Sequence, residues 1–462
     1  MVWVTRSSRP MTETSEPILI VGAGPAGSML AALLAEDGFD VEVIDKRRDP
    51  REEDAQSGRS INLTMAARGL AALRAIGAEE RVLQLAVPLY GRVIHYADGH
   101  RDFAPYGHQE EAIYAIRRHE LTAILVDVAE SKGAKFVFRA SCQDVDLETP
   151  SVRIRRAGHE PEERTAKLLV AADGAYSTIR NRMQHRLRFF NFSQRYSRLE
   201  YAEFIVTPSA DADWADNRHA VHIWPRGGYM LIGFPNLDGS MTLSLQIPRE
   251  GPVSHAAMTS PAELARLFEE QFPDVATDAA PMLEEYFERP NGTMITIRCS
   301  PWALAGRVLL IGDACHAIFP SYGQGCNSSF EDAIALRAVL RDSGEDWEEA
   351  LSRYEADRRP EADAIADLSI AHFDVLNRAV ADPNDQLAAA IALELQKQDP
   401  SKAPLYHNVS FTCMRYTEAL RRESDLEALV RDVMRRLAEC SMEEAVRQAL
   451  RHSNRADSVH TE

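Results

Sequence analysis

The chain has 462 residues, and its apolar content of 45% and charged content of 26% are ordinary for a globular protein. This length predicts two or three structural units, because one core rarely grows beyond about 250–300 residues. The net charge of −18 argues against nucleic acid and against an anionic membrane surface as partners. The six cysteines include no C-x-x-C pair, so neither a disulfide framework nor a zinc or other metal site is predicted.

Residues 1–16 are expected to form a flexible tail, and their opening lacks the apolar core of a signal peptide. No apolar run reaches 18 residues, so no transmembrane helix is predicted. We therefore expect a cytoplasmic protein, and the sequence leaves a monomer and a homodimer both open.

The first motif is ILIVGAGPAG at residues 18–27, a short apolar strand followed by glycines in the G-x-G-x-x-G spacing. Gly22 permits a tight turn, Gly24 lets the backbone approach a pyrophosphate, and Gly27 lets the next helix pack closely. A second predicted strand ends at Asp45, 23 positions after Gly22, which suits a carboxylate on a ribose hydroxyl. The pattern predicts a βαβ unit that binds a dinucleotide.

Two later stretches repeat the form of an apolar strand that ends in a polar turn. LLVAADG (168–174) turns at Asp173, and RVLLIGDACH (307–316) turns at Asp313. A helix is predicted to begin after GQGCN (323–327), where its N-terminal N–H groups favour an anion. The adjacent Cys315 and His316 are interpreted as a buried cysteine and a flavin-side histidine rather than a catalytic pair, because no third orienting group is evident.

Together and in this order, the three stretches resemble the FAD-binding fingerprint of the class A flavoprotein aromatic hydroxylases. The segments SGRSINL, GRVIH, APYG, HIWPRGGYMLIGFPN and FEDA resemble kynurenine 3-monooxygenases in particular. The resemblance implies an α/β fold, in which a Rossmann-like FAD domain of the glutathione-reductase type is interleaved with an antiparallel-sheet substrate domain. A helical C-terminal cap completes it.

The strand and helix patterns divide the chain accordingly. After the tail, the FAD domain takes 17–75, 110–187 and 300–345, the substrate domain takes 76–109 and 188–299, and the helical cap takes 346–462.

The resemblance also implies the site residues. The FAD-binding residues are Gly22, Gly24, Ala26, Gly27, Asp45, Lys46, Arg59, Arg118, Asp173, Asp313, Gly323, Gly325, Cys326 and Asn327. Arg92 would bind the substrate carboxylate, because its planar fork matches a carboxylate in a way that lysine cannot, and Tyr106 and Tyr406 would share that group. The remaining pocket residues are Pro320, Ser321, Tyr322 and His372. The flavin performs the chemistry, so no side chain is assigned a catalytic role.

The pocket departs from the family pattern at Ser321–Tyr322, where Phe-His is usual, and at His372, where an asparagine aligns. Ser321 predicts extra room for a ring-substituted kynurenine, unless Tyr322 fills that room and kynurenine itself remains the substrate. His372 is expected to titrate near neutral pH. Cys326 replaces a methionine.

The resemblance implies an NADPH- and O2-dependent monooxygenase that hydroxylates a kynurenine-like ring ortho to its amino group through a C4a-hydroperoxyflavin. NADPH is expected to dock transiently on the FAD domain, since no second G-x-G-x-x-G is present. Hydroxylation of another aromatic acid or biosynthetic aryl intermediate, and a non-catalytic flavin redox sensor, stay open as alternatives. A tryptophan-type halogenase is disfavoured, because only IWP (223–225) of its W-x-W-x-I-P segment is present.

Overall fold

The computed structural model describes residues 16–52, 61–107, 111–288, 290–344, 346–378 and 383–459. The strands in these residues are β1 (Ile18–Val21), β2 (Val41–Ile44), β3 (Asn62–Met65), β4 (Val87–Leu89), β5 (Gly91–His95), β6 (Arg101–Pro105), β7 (Ile113–Arg117), β8 (Lys135–Val137), β9 (Ala140–Asp146), β10 (Ser151–Arg156), β11 (Glu162–Thr165), β12 (Leu168–Ala171), β13 (Asn191–Val206), β14 (Ala220–Pro225), β15 (Met230–Pro235), β16 (Met241–Pro248), β17 (Gly292–Ser300), β18 (Ala303–Leu304) and β19 (Val308–Leu310).

The α-helices in the same residues are α1 (Pro25–Glu36), α2 (Ala67–Ala75), α3 (Glu79–Leu85), α4 (Arg118–Ser131), α5 (Thr178–Arg186), α6 (Pro261–Gln271), α7 (Pro273–Ala279), α8 (Glu285–Glu288), α9 (Asp313–His316), α10 (Gly325–Asp342), α11 (Trp347–Arg378), α12 (Pro383–Gln398), α13 (Leu405–Ser410), α14 (Tyr416–Arg436) and α15 (Met442–Val459). None of these helices is both long enough and apolar enough to cross a lipid bilayer.

The central sheet has the strand order β18-β19-β12-β1-β2-β8, and its strands from β19 to β8 are parallel. Every residue of β1, β12 and β19 is buried, as expected for parallel strands that are covered on both faces. These three neighbouring strands are the ones that carry the three sequence motifs. Their carboxyl ends meet at one edge of the sheet, the edge at which open α/β sheets bind ligands.

The larger sheet has the order β17-β13-β16-β15-β14-β5-β6 and is antiparallel except where β14 runs parallel to β5. One side of it packs on α6 and α7 around a core that includes Trp224 and Phe268. Because side chains alternate along a strand, Arg92 lies on the opposite side of β5 from its neighbours Val93 and Gly91.

Strands β3, β7 and β4 form a small sheet, and β9, β10 and β11 form a separate antiparallel sheet. Helices α11 to α15 form the C-terminal part, in which α12, α14 and α15 share an apolar core. The predicted mixed α/β class with a helical C-terminal region is confirmed.

The strands of the central sheet fall inside the three segments predicted for the FAD domain. The predicted segment 76–109 contributes to two sheets, since β4 pairs with β7 while β5 and β6 join the large sheet. The exact domain boundaries stay predictions. Arg59 and the first 15 residues of the predicted tail lie outside the described residues.

Candidate functional site

The three motifs pack against one another at the carboxyl edge of the central sheet. Gly22 has a φ of +115°, and a Cβ on it would lie 2.2 Å from the carbonyl oxygen of Ala172. A Cβ on Gly27 would lie 1.9 Å from the Gly22 oxygen, and a Cβ on Gly312 would lie 3.2 Å from Ala26. The first glycine turn therefore touches the second motif, and its helix touches the third. Backbone oxygens leave no room for a Cβ at Gly22 and Gly27, and Gly312 has a φ of +60°, a conformation that favours glycine.

Asp45 lies at the end of β2 and closes the glycine turn. Its carboxylate accepts hydrogen bonds from the Ala23 N–H at 2.7 Å and from the Arg47 guanidinium at 2.7 and 3.0 Å. Burial opposes the charged carboxylate, but Arg47 outweighs it and lowers the pKa of Asp45. Lys46 beside it is exposed. The predicted contact of Asp45 with a ribose hydroxyl stays a prediction.

Two carboxylates at neighbouring strand ends are available to a ligand. Asp173 accepts the Thr178 N–H at 2.7 Å with Oδ2, while its Oδ1 is buried without a hydrogen-bond partner among the described residues. Burial raises the pKa of Asp173. Asp313 is exposed between buried Gly312 and Ala314. A buried oxygen that lacks a donor, next to an exposed acceptor, fits a ligand rich in hydroxyl and amide N–H groups such as FAD.

The GQGCN segment borders the same space. Gly323 has a φ of +65° and lies against Thr64, where a Cβ would come within 2.2 Å of the hydroxyl oxygen. The amide of Asn327 donates to the carbonyls of Thr64 and Gly323 at 2.8 and 2.9 Å, so this side chain holds the turn together. Gly325 is the first residue of α10.

Cys326 relates this segment to the other predicted FAD contacts. Burial raises the pKa of the Cys326 thiol, with smaller and opposing influences from the charges of Arg118 and Asp313. Arg118, the first residue of α4, is exposed. Cys326 therefore lies close enough to Arg118 and Asp313 for both charges to influence its thiol.

A second constellation joins the large sheet to the C-terminal helices. The guanidinium carbon of Arg92 lies 5.1 Å from the ring centre of Tyr106 and 5.4 Å from that of Tyr406. The two tyrosine rings stack with their centres 5.0 Å apart. Desolvation by burial raises the pKa of both tyrosines despite the nearby Arg92 charge, so both hydroxyls are neutral donors at pH 7. No carboxylate among the described residues pairs with Arg92.

Tyr322 and His372 continue this aromatic group. The Tyr322 ring lies 4.4 Å from that of His372 and 5.6 Å from that of Tyr406. Burial, followed by the charge of Arg92, lowers the pKa of His372 to about 3. The expectation that His372 titrates near neutral pH is therefore wrong, because a protonated imidazole would be poorly solvated and beside a cation.

Ser321 and Pro320 lie in the short helical turn before Gly323. The Ser321 hydroxyl donates to the carbonyl of Ser369 on α11. Ser321 is thus held against a helix backbone, and the neighbouring Tyr322 supplies the aromatic ring of this turn. Pro320 is exposed.

Sequence reasoning missed two further pairs around the tyrosines. Glu111 and His407 form a 2.9 Å hydrogen bond between the segment after Tyr106 and the helix that carries Tyr406. Phe319 and Phe373 lie with ring centres 4.6 Å apart. Neither pair belongs to a motif, and only the fold brings residues so distant in sequence together.

Cys315 and His316 do not form a catalytic pair. The Cys315 thiol donates to the Gly312 carbonyl at 3.3 Å, and burial raises its pKa well above the ordinary value. His316 instead hydrogen-bonds to Asp332. The interpretation of Cys315 as a buried cysteine is confirmed. Within the described part of the chain, no group of three or more histidine, cysteine or acidic side chains could hold a metal ion.

The chain is similar to known FAD-binding proteins over most of its length. The family model described as FAD binding domain matches residues 15–369. Kynurenine 3-monooxygenase of Flavobacterium johnsoniae is 40% identical over 410 residues, which cover 88% of this chain and 91% of the relative. Kynurenine 3-monooxygenase of Salinispora tropica is 40% identical over 426 residues, which cover 91% of this chain and 94% of the relative.

Solved structures agree on the fold. A p-nitrophenol 4-monooxygenase from Pseudomonas putida superposes with a TM-score of 0.64 at 18% identity, covering 90% of this chain and 98% of that one. The tetrameric form of 2-methyl-3-hydroxypyridine-5-carboxylic acid oxygenase gives a TM-score of 0.64 at 22% identity, covering 82% and 96%.

Proposed function

Because the chain belongs to the kynurenine 3-monooxygenase family of FAD-dependent aromatic monooxygenases, we propose that it hydroxylates C3 of L-kynurenine or of a ring-substituted kynurenine. C3 is the ring carbon ortho to the amino group. NADPH is the proposed electron donor and dioxygen the co-substrate. When bound, FAD supplies the activation of dioxygen, and the protein supplies binding and orientation.

The observation that carries this proposal is the group formed by Arg92, Tyr106 and Tyr406. Arg92 lies between two neutral phenols and has no carboxylate partner among the residues described, so an anionic ligand would complete the group. A guanidinium fork with two phenolic donors matches one carboxylate, and an amino-acid substrate provides that carboxylate. A redox sensor that binds only flavin has no use for such an arrangement.

The aromatic rings then orient the substrate. The rings of Tyr322 and His372 continue the aromatic surface that begins at Tyr406. The neutral imidazole of His372 can form a hydrogen bond without adding a charge beside Arg92. Stacked rings exclude water and provide flat apolar surface on which an aniline-type ring can lie. In this arrangement Arg92 would fix the carboxylate at one end of the substrate, and the ring would lie along Tyr406, Tyr322 and His372.

The choice between kynurenine and a ring-substituted relative depends on the Ser321–Tyr322 turn. Ser321 contributes no aromatic volume, which favours an added methyl group, whereas the Tyr322 ring packed on His372 favours the unsubstituted ring. One methyl group in a fitted apolar pocket is worth about 1–3 kcal/mol, so kcat/KM separates the two readings.

The proposal is tested with the purified FAD-containing enzyme and a panel of L-kynurenine, ring-methylated kynurenines and simple aromatic acids. NADPH oxidation, hydroxylated product and hydrogen peroxide are measured together. We expect kynurenines to stimulate NADPH oxidation and to give product in a near one-to-one ratio. If an aromatic acid that lacks the amino-acid group is hydroxylated with coupled NADPH oxidation and no kynurenine is, the protein is a hydroxylase of another aromatic acid and the proposal is wrong. No stimulation by any compound would favour a sensor.

A further inference from the structure

A hydrogen bond beside the tyrosine pair joins the two chain segments that carry Tyr106 and Tyr406. His407 Nε2 and Glu111 Oε1 are 2.9 Å apart. An ionised carboxylate only accepts hydrogen bonds, so the imidazole Nε2–H is the donor. Both side chains are partly exposed, 16% for His407 and 29% for Glu111. We call this pair the Glu111–His407 clasp.

The clasp connects parts of the chain that are remote in sequence. Tyr106 directly follows β6, and Glu111 lies just before β7. Tyr406 and His407 are consecutive residues of α13. The clasp spans 296 positions of the chain, and beside it the two tyrosine rings stack with their centres 5.0 Å apart. A shift of either segment therefore moves one phenol relative to the other.

Gly107 leaves room for the clasp. A Cβ on Gly107 would lie 2.2 Å from Glu111 Oε2 and 3.3 Å from a ring carbon of Phe411. The Glu111 carboxylate therefore packs against the Gly107 backbone. The ring of Phe411 has its centre 5.6 Å from that of His407 and 6.3 Å from that of Tyr406. These contacts hold the segment after β6 against α13.

The proposed carboxylate site depends on this connection, because three separate elements supply its donors. Arg92 lies on β5, Tyr106 follows β6, and Tyr406 lies on α13. Stacked rings tolerate a range of offsets, whereas a hydrogen bond weakens steeply away from its preferred distance and angle. The clasp supplies the directional contact that stacking lacks. Because water still reaches both of its side chains, the clasp contributes little to the stability of the whole fold.

We propose that Glu111 and His407 are positioning residues, which hold the two tyrosine hydroxyls at the spacing that one substrate carboxylate requires. The clasp thereby contributes to specificity for aromatic substrates that carry an amino-acid carboxylate. This role rests on the proposed function, because it requires that Arg92 and the two tyrosines bind that carboxylate.

The test compares Glu111→Ala with the parent in the FAD-loaded full-length protein. Binding of L-kynurenine is measured by the change in flavin absorbance, and kcat is measured from NADPH oxidation at saturating L-kynurenine. We expect the dissociation constant to rise about five- to tenfold, because each misplaced phenol loses a hydrogen bond to the carboxylate. Since this loss affects binding rather than the chemical step, kcat should stay within about twofold of the parent's. Glu111→Gln keeps an acceptor oxygen for His407 and should restore binding.

Two further variants separate positioning from general stability. Gly107→Ala displaces the flexible end of Glu111 by its added methyl group, so it should weaken binding as Glu111→Ala does while the protein stays folded. In a Tyr406→Phe background, Glu111→Ala should raise the dissociation constant by only about twofold, because one hydroxyl that the clasp positions is already absent. Thermal unfolding is followed for every variant.

Asp102→Ala is the matched control. It removes the carboxylate from an exposed pair, in which His100 Nε2 and Asp102 Oδ1 lie 3.0 Å apart at the neighbouring β6. We expect this variant to bind L-kynurenine like the parent. If Glu111→Ala does not retain FAD, Gly107→Ala takes its place.

A dissociation constant for Glu111→Ala equal to the parent's, or the same fold-change with and without the Tyr406 hydroxyl, would overturn the proposal. Arg92→Lys is measured alongside. Weaker binding by Arg92→Lys together with parent-like binding by Glu111→Ala refutes the clasp alone and leaves the proposed function standing. If the parent itself does not bind L-kynurenine, the proposed function is wrong and the role of the clasp falls with it.

Discussion

Replacing Arg92 with lysine tests the proposed substrate site most directly. Lysine keeps the positive charge but loses the planar fork, so it can donate one strong hydrogen bond to a carboxylate where arginine donates two. The change lies on β5, away from the glycine turns of the FAD sheet. We therefore expect the variant to fold and to bind FAD like the parent.

The size of the effect follows from the surroundings of Arg92. One hydrogen bond between charged groups contributes about 1.5–3 kcal/mol, and the partial exposure of Arg92 favours the lower end of that range. The dissociation constant for L-kynurenine should rise about 10- to 30-fold. Tyr406→Phe removes one neutral donor, worth about 0.5–1.5 kcal/mol. In the double variant the two losses of binding free energy should not add, because the Arg92 guanidinium carbon lies 5.4 Å from the Tyr406 ring centre.

Binding is followed by the change in flavin absorbance on titration with L-kynurenine, and FAD content is determined on the same samples. Arg101→Lys is a suitable control, because Arg101 is an exposed arginine on the neighbouring β6 and pairs with Asp213. A dissociation constant for Arg92→Lys within twofold of the parent's would refute the role of Arg92 as the carboxylate ligand, and with it the main support for an amino-acid substrate.

The central sheet could be predicted from sequence because its signals are local. A buried parallel strand followed by a glycine turn leaves a pattern that one stretch of chain displays in full, as residues 18–27 do. Adjacency of β1, β12 and β19 required more than the pattern, since nothing in a sequence fixes strand order. The structure places these three strands side by side.

The pocket was less predictable because its contacts join distant parts of the chain. The ring of Tyr322 could fill or leave the room beside Ser321, and only packing against His372 from α11 decides its position. The same enclosure lowers the pKa of His372, a property that residue type alone did not show. The sequence did not predict Asp332 as the hydrogen-bond partner of His316, since 16 residues and a turn separate them.

The other predictions concern the glycine turn of the FAD site, the Asp313 carboxylate as an acceptor for FAD hydroxyls, and the His372 imidazole. Gly27→Ala should destabilise the protein by about 1–3 kcal/mol or more and reduce its FAD content, because the added Cβ would lie 1.9 Å from the Gly22 oxygen. Thermal unfolding measures the stability and flavin absorbance measures the FAD content. A variant that equals the parent in both would contradict this prediction. Asp313→Ala should weaken FAD binding by about 1–3 kcal/mol through loss of a hydroxyl acceptor, and an unchanged dissociation constant in reconstitution titrations would exclude that contact. His372→Asn should make the protein more resistant to acid. The pKa of His372 is about 3 in the folded chain and about 6.5 when unfolded, so its neutral form contributes fully to stability above pH 6.5, and that contribution is lost as the pH falls toward 3. Between pH 7.5 and 5 the parent should therefore lose about 1–2 kcal/mol more than His372→Asn, a figure reduced for the partial exposure of the ring. Urea unfolding at both pH values measures the difference, and equal losses would mean that the imidazole is freely solvated.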